Sequence, residues 1–212
     1  MTSFLTLSGP GTAETRVRGS TFTAVAAPVE DEAAARAILA SREKALWDAS
    51  HHCSAWVLRS GVVRASDAGE PSGSAGAPIL AAIQGAGLTD CAVVVTRYFG
   101  GTKLGVGGLV RAYGEAAAAA LVDAPRREGV PALRMRLVYG YALTSVVMRT
   151  VERAEAAQVE HSYAAGGDAG VVEFSIPAHA ATAFRTELTE ASGGALEGEI
   201  LGEMVLYRNA PA

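Results

Sequence analysis

Cysteine is nearly missing from these 212 residues, with Cys53 and Cys91 the only two. Two thiols exclude a disulfide framework and a four-cysteine zinc site, and the expected setting is the reducing cytoplasm. Lysine is as scarce, at Lys44 and Lys103, so arginine carries nearly all the positive charge. No apolar run has the length of a membrane span, and residues 1–20 lack the cationic start and apolar stretch of a secretory signal. Charged residues are only 19% and the net charge is −4, which excludes a disordered polyelectrolyte and a strongly basic nucleic-acid scaffold. What is present is a half-hydrophobic chain, long enough for one large or two small domains and for a core that needs no staples.

Charge divides the chain. Residues 1–133 hold 12 Lys/Arg and 12 Asp/Glu, and residues 134–212 hold 6 and 10, so the acidic excess lies in the C-terminal part. That part is a poor candidate for gripping phosphate backbones non-specifically, because such binding follows cation density. Pro125 to Pro131, with Arg126, Arg127 and Glu128 between, reads as a linker and sets domains at 1–130 and 131–212.

Hydrophobic periodicity supplies the elements. Residues 20–27 predict a strand closed by Pro28, and Asp31 caps a helix through about Trp47 with Ala35, Ile38, Leu39 and Leu46 on one face. His51–Leu58 predicts a second strand, Gly61 turns it into a third at Val62–Ala65, and Ser66–Pro78 is too rich in Gly, Pro and Ser for regular structure. Ile79–Gln84 suggests a short helix. Cys91–Tyr98 is a strand whose consecutive β-branched residues suit burial on both faces. Leu109, Tyr113, Ala116, Ala117 and Ala120 then mark a helix face, in which the run Ala116–Ala120 is a good helix former. The remainder reads as strand 132–139, helix 142–157, strands 158–163 and 170–176, a helix from Pro177 to about Ala191, and strand 196–207. That is a ferredoxin-like βαββαβ order. The expected fold class is α+β, with two α/β-sandwich domains.

The segment Phe99–Gly108 (FGGTKLGVGG) carries the most chemistry. Gly100, Gly101, Gly105, Gly107 and Gly108 lie between a strand and a helix, with Lys103 inside and Arg97 and Arg111 on either side. Bare N–H groups at a helix N-terminus bordered by cations make an anion or nucleic-acid site. A tight strand-to-helix connection, whose glycines permit positive φ and close packing, is the other reading. Neither nucleotide fingerprint fits: Val106 stands where a Walker loop needs Lys, and Val110 where the dinucleotide pattern needs its third glycine. His51 and Cys53 share one strand face and His52 points to the other, too few ligands for zinc, so no metal or cofactor is expected. A buried small hydrophobe is the expected state of each cysteine. Asp67 and Glu70 flank Gly69 in the long Ser/Gly/Pro loop, where solvated carboxylates are the usual outcome and an acid–base pair the sharper one. No nucleophile elbow or H-E-x-x-H pattern occurs, and no catalytic residue is assigned.

HHCSAWV at 51–57, SDAGEPSGSAGAP at 66–78 and AVVVTRYFGGTKLGVGGLVRAY at 92–113 closely resemble the signature blocks of the IMPACT (YigZ) family, with RGSTF at 18–22 a shorter match. The resemblance implies an N-terminal domain similar to the second domain of a small-subunit ribosomal protein and to RNase PH. It also implies a C-terminal domain like two domains of elongation factor G. Eukaryotic relatives regulate translation through a stress-responsive initiation-factor kinase that bacteria lack, so that role does not transfer. What transfers is a surface: His51, His52, Asp67 and Glu70 as a possible cleft, beside Arg97, Lys103 and Arg111.

Three functions follow as expectations. The first is a non-catalytic binding protein linked to translation regulation, whose partner is RNA, the ribosome or a translation factor. The second is a protein scaffold anchored by Tyr98 and Phe99. The third is a small enzyme on a phosphorylated metabolite or nucleotide at the glycine loop, with Asp67 or Glu70 as base. No membrane association is expected, and the sequence leaves the oligomeric state open.

Overall fold

A computed structural model of the chain describes residues 2–209. The chain divides into two compact units, Phe4–Glu128 and Gly129–Arg208, of mixed α/β structure on two antiparallel sheets. The first unit holds β1 (Phe4–Leu7), β2 (Gly11–Val17), β3 (Ser20–Pro28), α1 (Glu32–Ala45), β4 (His51–Val57), β5 (Val63–Ser66), α2 (Gly76–Gly85), β6 (Cys91–Tyr98) and α3 (Val106–Asp123). Its main sheet runs β2-β3-β6-β4-β5. β6 lies at the centre, which is why its run of valines is buried on both faces. α2 and α3 cover one face through Ile79, Ile83, Tyr113, Ala117 and Leu121, packed on Phe22, Cys53 and Val95. α1 covers part of the other, with Ala35 against Trp56, Leu58 and Ala92. The Asp31 carboxylate accepts from the Ala34 N–H at 2.7 Å and starts α1 as its sequence indicates.

The glycine segment is shorter than it reads. α3 begins at Val106, so Gly107 and Gly108 sit in its first turn rather than in the loop. α2 likewise begins at Gly76, with Pro78 in the first turn where a missing N–H costs little. Residues 4–17, which show no clear period in the sequence, form β1 and β2. β2 is an edge strand whose Thr12, Glu14 and Arg16 face water, so its apolar alternation is weak.

The remaining elements are β7 (Arg126–Tyr139), α4 (Thr144–Arg153), β8 (Ala157–Tyr163), β9 (Gly170–Pro177), α5 (Ala181–Ala191) and β10 (Glu199–Asn209). The sheet order is β1-β7-β9-β8, with β10 also pairing β7. α4 and α5 pack on one face, through Val147, Val151, Phe184 and Leu188 against Met135, Leu137 and Phe174. Beyond Pro125, the expected linker Pro125–Pro131 is strand, residues 126–131 forming the start of β7. Pro131, with no N–H to donate, stands just ahead of the β9 ladder that opens at Ala132. The helix expected over 142–157 is a 3₁₀ turn at Tyr141–Leu143 followed by α4, which ends before Glu155 turns to φ +51°. Pro177 closes β9 rather than opening a helix, and a 3₁₀ turn precedes α5. Among the described residues, no helix is long and apolar enough to cross a membrane.

Candidate functional site

Register places the first two site residues. β4 and β6 run antiparallel with His51 opposite Arg97 and His52 opposite Thr96. Alternation then sends His51, Cys53 and Arg97 toward the face that α2 and α3 cover, and His52 and Thr96 toward the α1 face. His52 Nδ1 and Thr96 Oγ1 share a 3.0 Å hydrogen bond there, so His52 stands apart from the other candidates.

The loop after β5 supplies the carboxylates, in two different roles. Asp67 Oδ1 accepts from the N–H groups of Ala75 (2.9 Å) and Gly76 (2.8 Å), and Oδ2 from that of Gly73 (2.8 Å). Burial works against its ionisation, but these three donors outweigh it and hold its pKa below the ordinary value of 3.8. Asp67 therefore shapes the loop and caps α2. Ala68 (φ +44°) and Gly69 (φ +87°) reverse the chain, and the Glu70 N–H closes the turn on Asp67 O at 2.9 Å. The reversal turns Glu70 inward.

Glu70 is the centre of the site, with its side chain only 3% exposed. Oε1 accepts from Arg97 Nη1 at 2.7 Å and from Tyr113 Oη at 2.8 Å, and His51 Nε2 lies 4.0 Å away. His51 Nδ1 faces the Ala68 carbonyl at 2.9 Å, and since a carbonyl only accepts, Nδ1 carries the proton. Arg97 Nη2 donates to Ser20 Oγ at 3.3 Å. The guanidinium lies 5.5 Å from the ring centres of both Phe22 and Phe99. Phe22 in turn meets Tyr113 edge-on at 5.1 Å, an arrangement worth about 0.5–1.5 kcal/mol beyond its buried area. Cys53 Sγ donates to Asp67 O at 3.1 Å, and burial pushes its thiol up to about 12. Burial first, then Cys53 and Glu70, pushes the Tyr113 hydroxyl far above its usual range. Neither group ionises at neutral pH, so neither supplies a ready nucleophile.

Two readings change as a result. Glu70 is not a solvated loop carboxylate, and Arg97 is not on a cationic rim: each is spent on the other in a buried pair. Such a pair holds only because each partner compensates the other's lost hydration. His51, Glu70 and Arg97 do come together, whereas Asp67 supports the loop that carries Glu70. Ser20, Phe22 and Tyr113 complete the cluster. Ser20 and Phe22 belong to the RGSTF string, and Tyr113 reads in the sequence only as one residue of a helix face. Among the described residues, no three His, Cys, Asp or Glu side chains are grouped to hold a metal.

The glycine loop lies directly after this cluster. Gly100 has its N–H on Ser20 Oγ at 3.1 Å, and a side chain on it would overlap the backbone of Gly19 and Ser20. Gly101, Lys103, Gly105, Gly107 and Arg111 are exposed, and Gly105 enters α3 at φ +72° with no side chain capping the helix. Gly108 leaves room for Leu104, whose Cβ would stand 3.0 Å from an added methyl. Arg111 folds back, its Nη1 being 4.0 Å from where a Gly107 side chain would begin. Arg18, at φ +46° in the β2–β3 turn that Gly100 packs on, adds a further exposed cation.

Residues 18–121, which contain every residue of this cluster, match the model of the Impact N-terminal domain. The chain is 31% identical over 201 residues to IMPACT family member YigZ of Escherichia coli (strain K12), spanning 93% of this chain and 97% of that one. The chain belongs to the IMPACT family. IMPACT family member YvyE of Bacillus subtilis (strain 168) is 42% identical over 115 residues, spanning 53% of each chain. Against a solved crystal structure described as that of a hypothetical protein, the TM-score is 0.66 at 30% identity, covering 95% of this chain and 98% of that one.

Proposed function

We propose that this IMPACT family chain is a non-catalytic binding protein that holds the phosphate backbone of RNA at the mouth of the glycine loop. The observation that carries the reading is the start of α3. An 18-residue helix opens there after Gly105, which has no side chain to cap it, its first residues Val106 and Gly107 are exposed, and Lys103 and Arg111, both exposed, stand within a few residues of that end. Such an end attracts phosphate by hydrogen bonding and by the helix dipole together. Arg18 extends the cationic rim. An acidic chain overall is compatible with this, because local cation density sets the attraction. The enzyme alternative finds both of its candidate bases engaged, Glu70 by Arg97 and Tyr113 and Asp67 by three backbone N–H groups. Translation regulation in the cytoplasm, on RNA free or within the ribosome, is the setting we infer. The β10-β7-β9-β8 order with two helices on one face supports a ferredoxin-like C-terminal domain. The likeness to RNase PH and to the second domain of a ribosomal protein belongs to the same reading of the N-terminal unit.

The test is RNA affinity as a function of salt. Lys103→Glu with Arg111→Glu is expected to weaken binding of a short RNA about tenfold or more at low salt. The slope of log affinity against log salt should fall by about one for each phosphate that the variant no longer neutralises. Affinity and slope equal to those of the unaltered chain would remove the reading.

A further inference from the structure

We infer that Phe99 is a stacking platform for an unpaired base of the nucleic acid held at that rim, an inference that rests on the backbone-binding reading. Phe99 is half exposed, while its backbone and one side of its ring are engaged by the cluster. Its N–H is tied to Ser50 Oγ at 3.1 Å, and that of the next residue, Gly100, to Ser20 Oγ at 3.1 Å. Its ring lies 5.5 Å from the Arg97 guanidinium, which lies as far from Phe22, which in turn rests edge-on against Tyr113. Glu70 neutralises Arg97 within this stack.

The buried cluster is thus a pedestal. It anchors the backbone at Phe99 and backs the ring with the Arg97 guanidinium, leaving part of the ring in water, one residue before the glycine loop. A rigid aromatic surface at the edge of a cationic rim suits single-stranded nucleic acid, because every base has a flat π-face and each nucleotide a phosphate. Duplex bases are already stacked and offer only their backbone, so Phe99 adds nothing for a duplex. A protein partner is less suited, because the exposed cations Lys103 in the loop that follows Phe99, Arg111 in the helix after it and Arg18 next to Gly19, on which Gly100 packs, favour a polyanion.

The experiment measures fluorescence anisotropy of the full chain with a labelled 12-nucleotide oligouridine and with a 12-base-pair RNA duplex at one salt concentration. Phe99→Ala and Phe99→Leu are both expected to lose about tenfold on the single strand and less than twofold on the duplex, while Phe99→Trp keeps or improves binding. Urea midpoints near the unaltered value show that these variants fold. Wild-type affinity in Phe99→Ala, alongside weakened Lys103→Glu, would sink the stacking inference and leave the backbone reading standing. Phe99→Leu binding like the unaltered chain would make the interaction merely apolar and overturn stacking, as would equal losses on strand and duplex. Failure of the unaltered chain to bind either RNA would end both.

Discussion

Asp67 and Glu70 lie three residues apart in a loop that reads as solvated, yet they do different work. Asp67 stays ionised because three N–H groups point at it, whereas Glu70 is buried against a guanidinium and a phenol. Asp67 yields a pH prediction. Its folded-state pKa lies below the unfolded 3.8, so its stabilisation is complete above that pH and disappears as pH falls through the folded value. Asp67→Asn, which sets an amide against N–H donors, should lower stability by about 1–2 kcal/mol at pH 7. The gap in urea midpoint between variant and parent should hold down to about pH 5 and narrow below pH 4. A gap unchanged at pH 3 would show that the carboxylate's charge is not what matters. The acidic pair was visible in the sequence, but the assignment of roles was not, since it depends on where Ala68 and Gly69 turn the chain.

At the level of elements, the glycine loop separates two uses of glycine that look alike on paper. Gly101 takes φ +82° with open space around it. An alanine there meets only the left-handed backbone penalty, about 1–2 kcal/mol. Gly100 has no positive φ, but its Cα faces the Gly19–Ser20 backbone, so the end of β6 and the β2–β3 turn touch only because neither has a side chain between them. Gly100→Ala should therefore cost roughly 3 kcal/mol or more, with Gly101→Ala clearly milder, both read by urea denaturation. Equal costs would mean that the turn yields freely. The strands and helices around this loop follow from apolar periods, β6 most plainly, while the edge strand β2 escapes because half its residues face water.

At the scale of the whole molecule, the described residues form three hydrophobic clusters with no residue in common. Two lie in the first unit, one drawing on residues between Leu5 and Ala124 and the other on Val29, Ala35, Trp56, Leu58 and Ala92, and the third draws on residues between Leu133 and Leu196. Cores that share nothing permit separate opening. Met135→Ala, in the third cluster, should destabilise residues 129–208 by about 2–5 kcal/mol. Amide hydrogen exchange should speed up at Val172–Ile176 in β9, while Val93–Val95 in β6 keep their protection. Loss of protection in both strands alike would show one cooperative unit.

Local chemistry sufficed for most elements: Asp31 starts α1, the valines of β6 demand a central strand, and the βαββαβ order follows from alternating periods. Strings such as RGSTF and SDAGEPSG carried the family likeness without showing why those residues are together. That only the tertiary structure decided. Glu70 reaches Arg97 across 27 positions and Tyr113 across 43, and Arg97 reaches Ser20 across 77. A period of two or 3.6 residues is written in neighbouring side chains. Pairings over such spans depend instead on sheet order, register and one loop reversal, which arise only when the core packs.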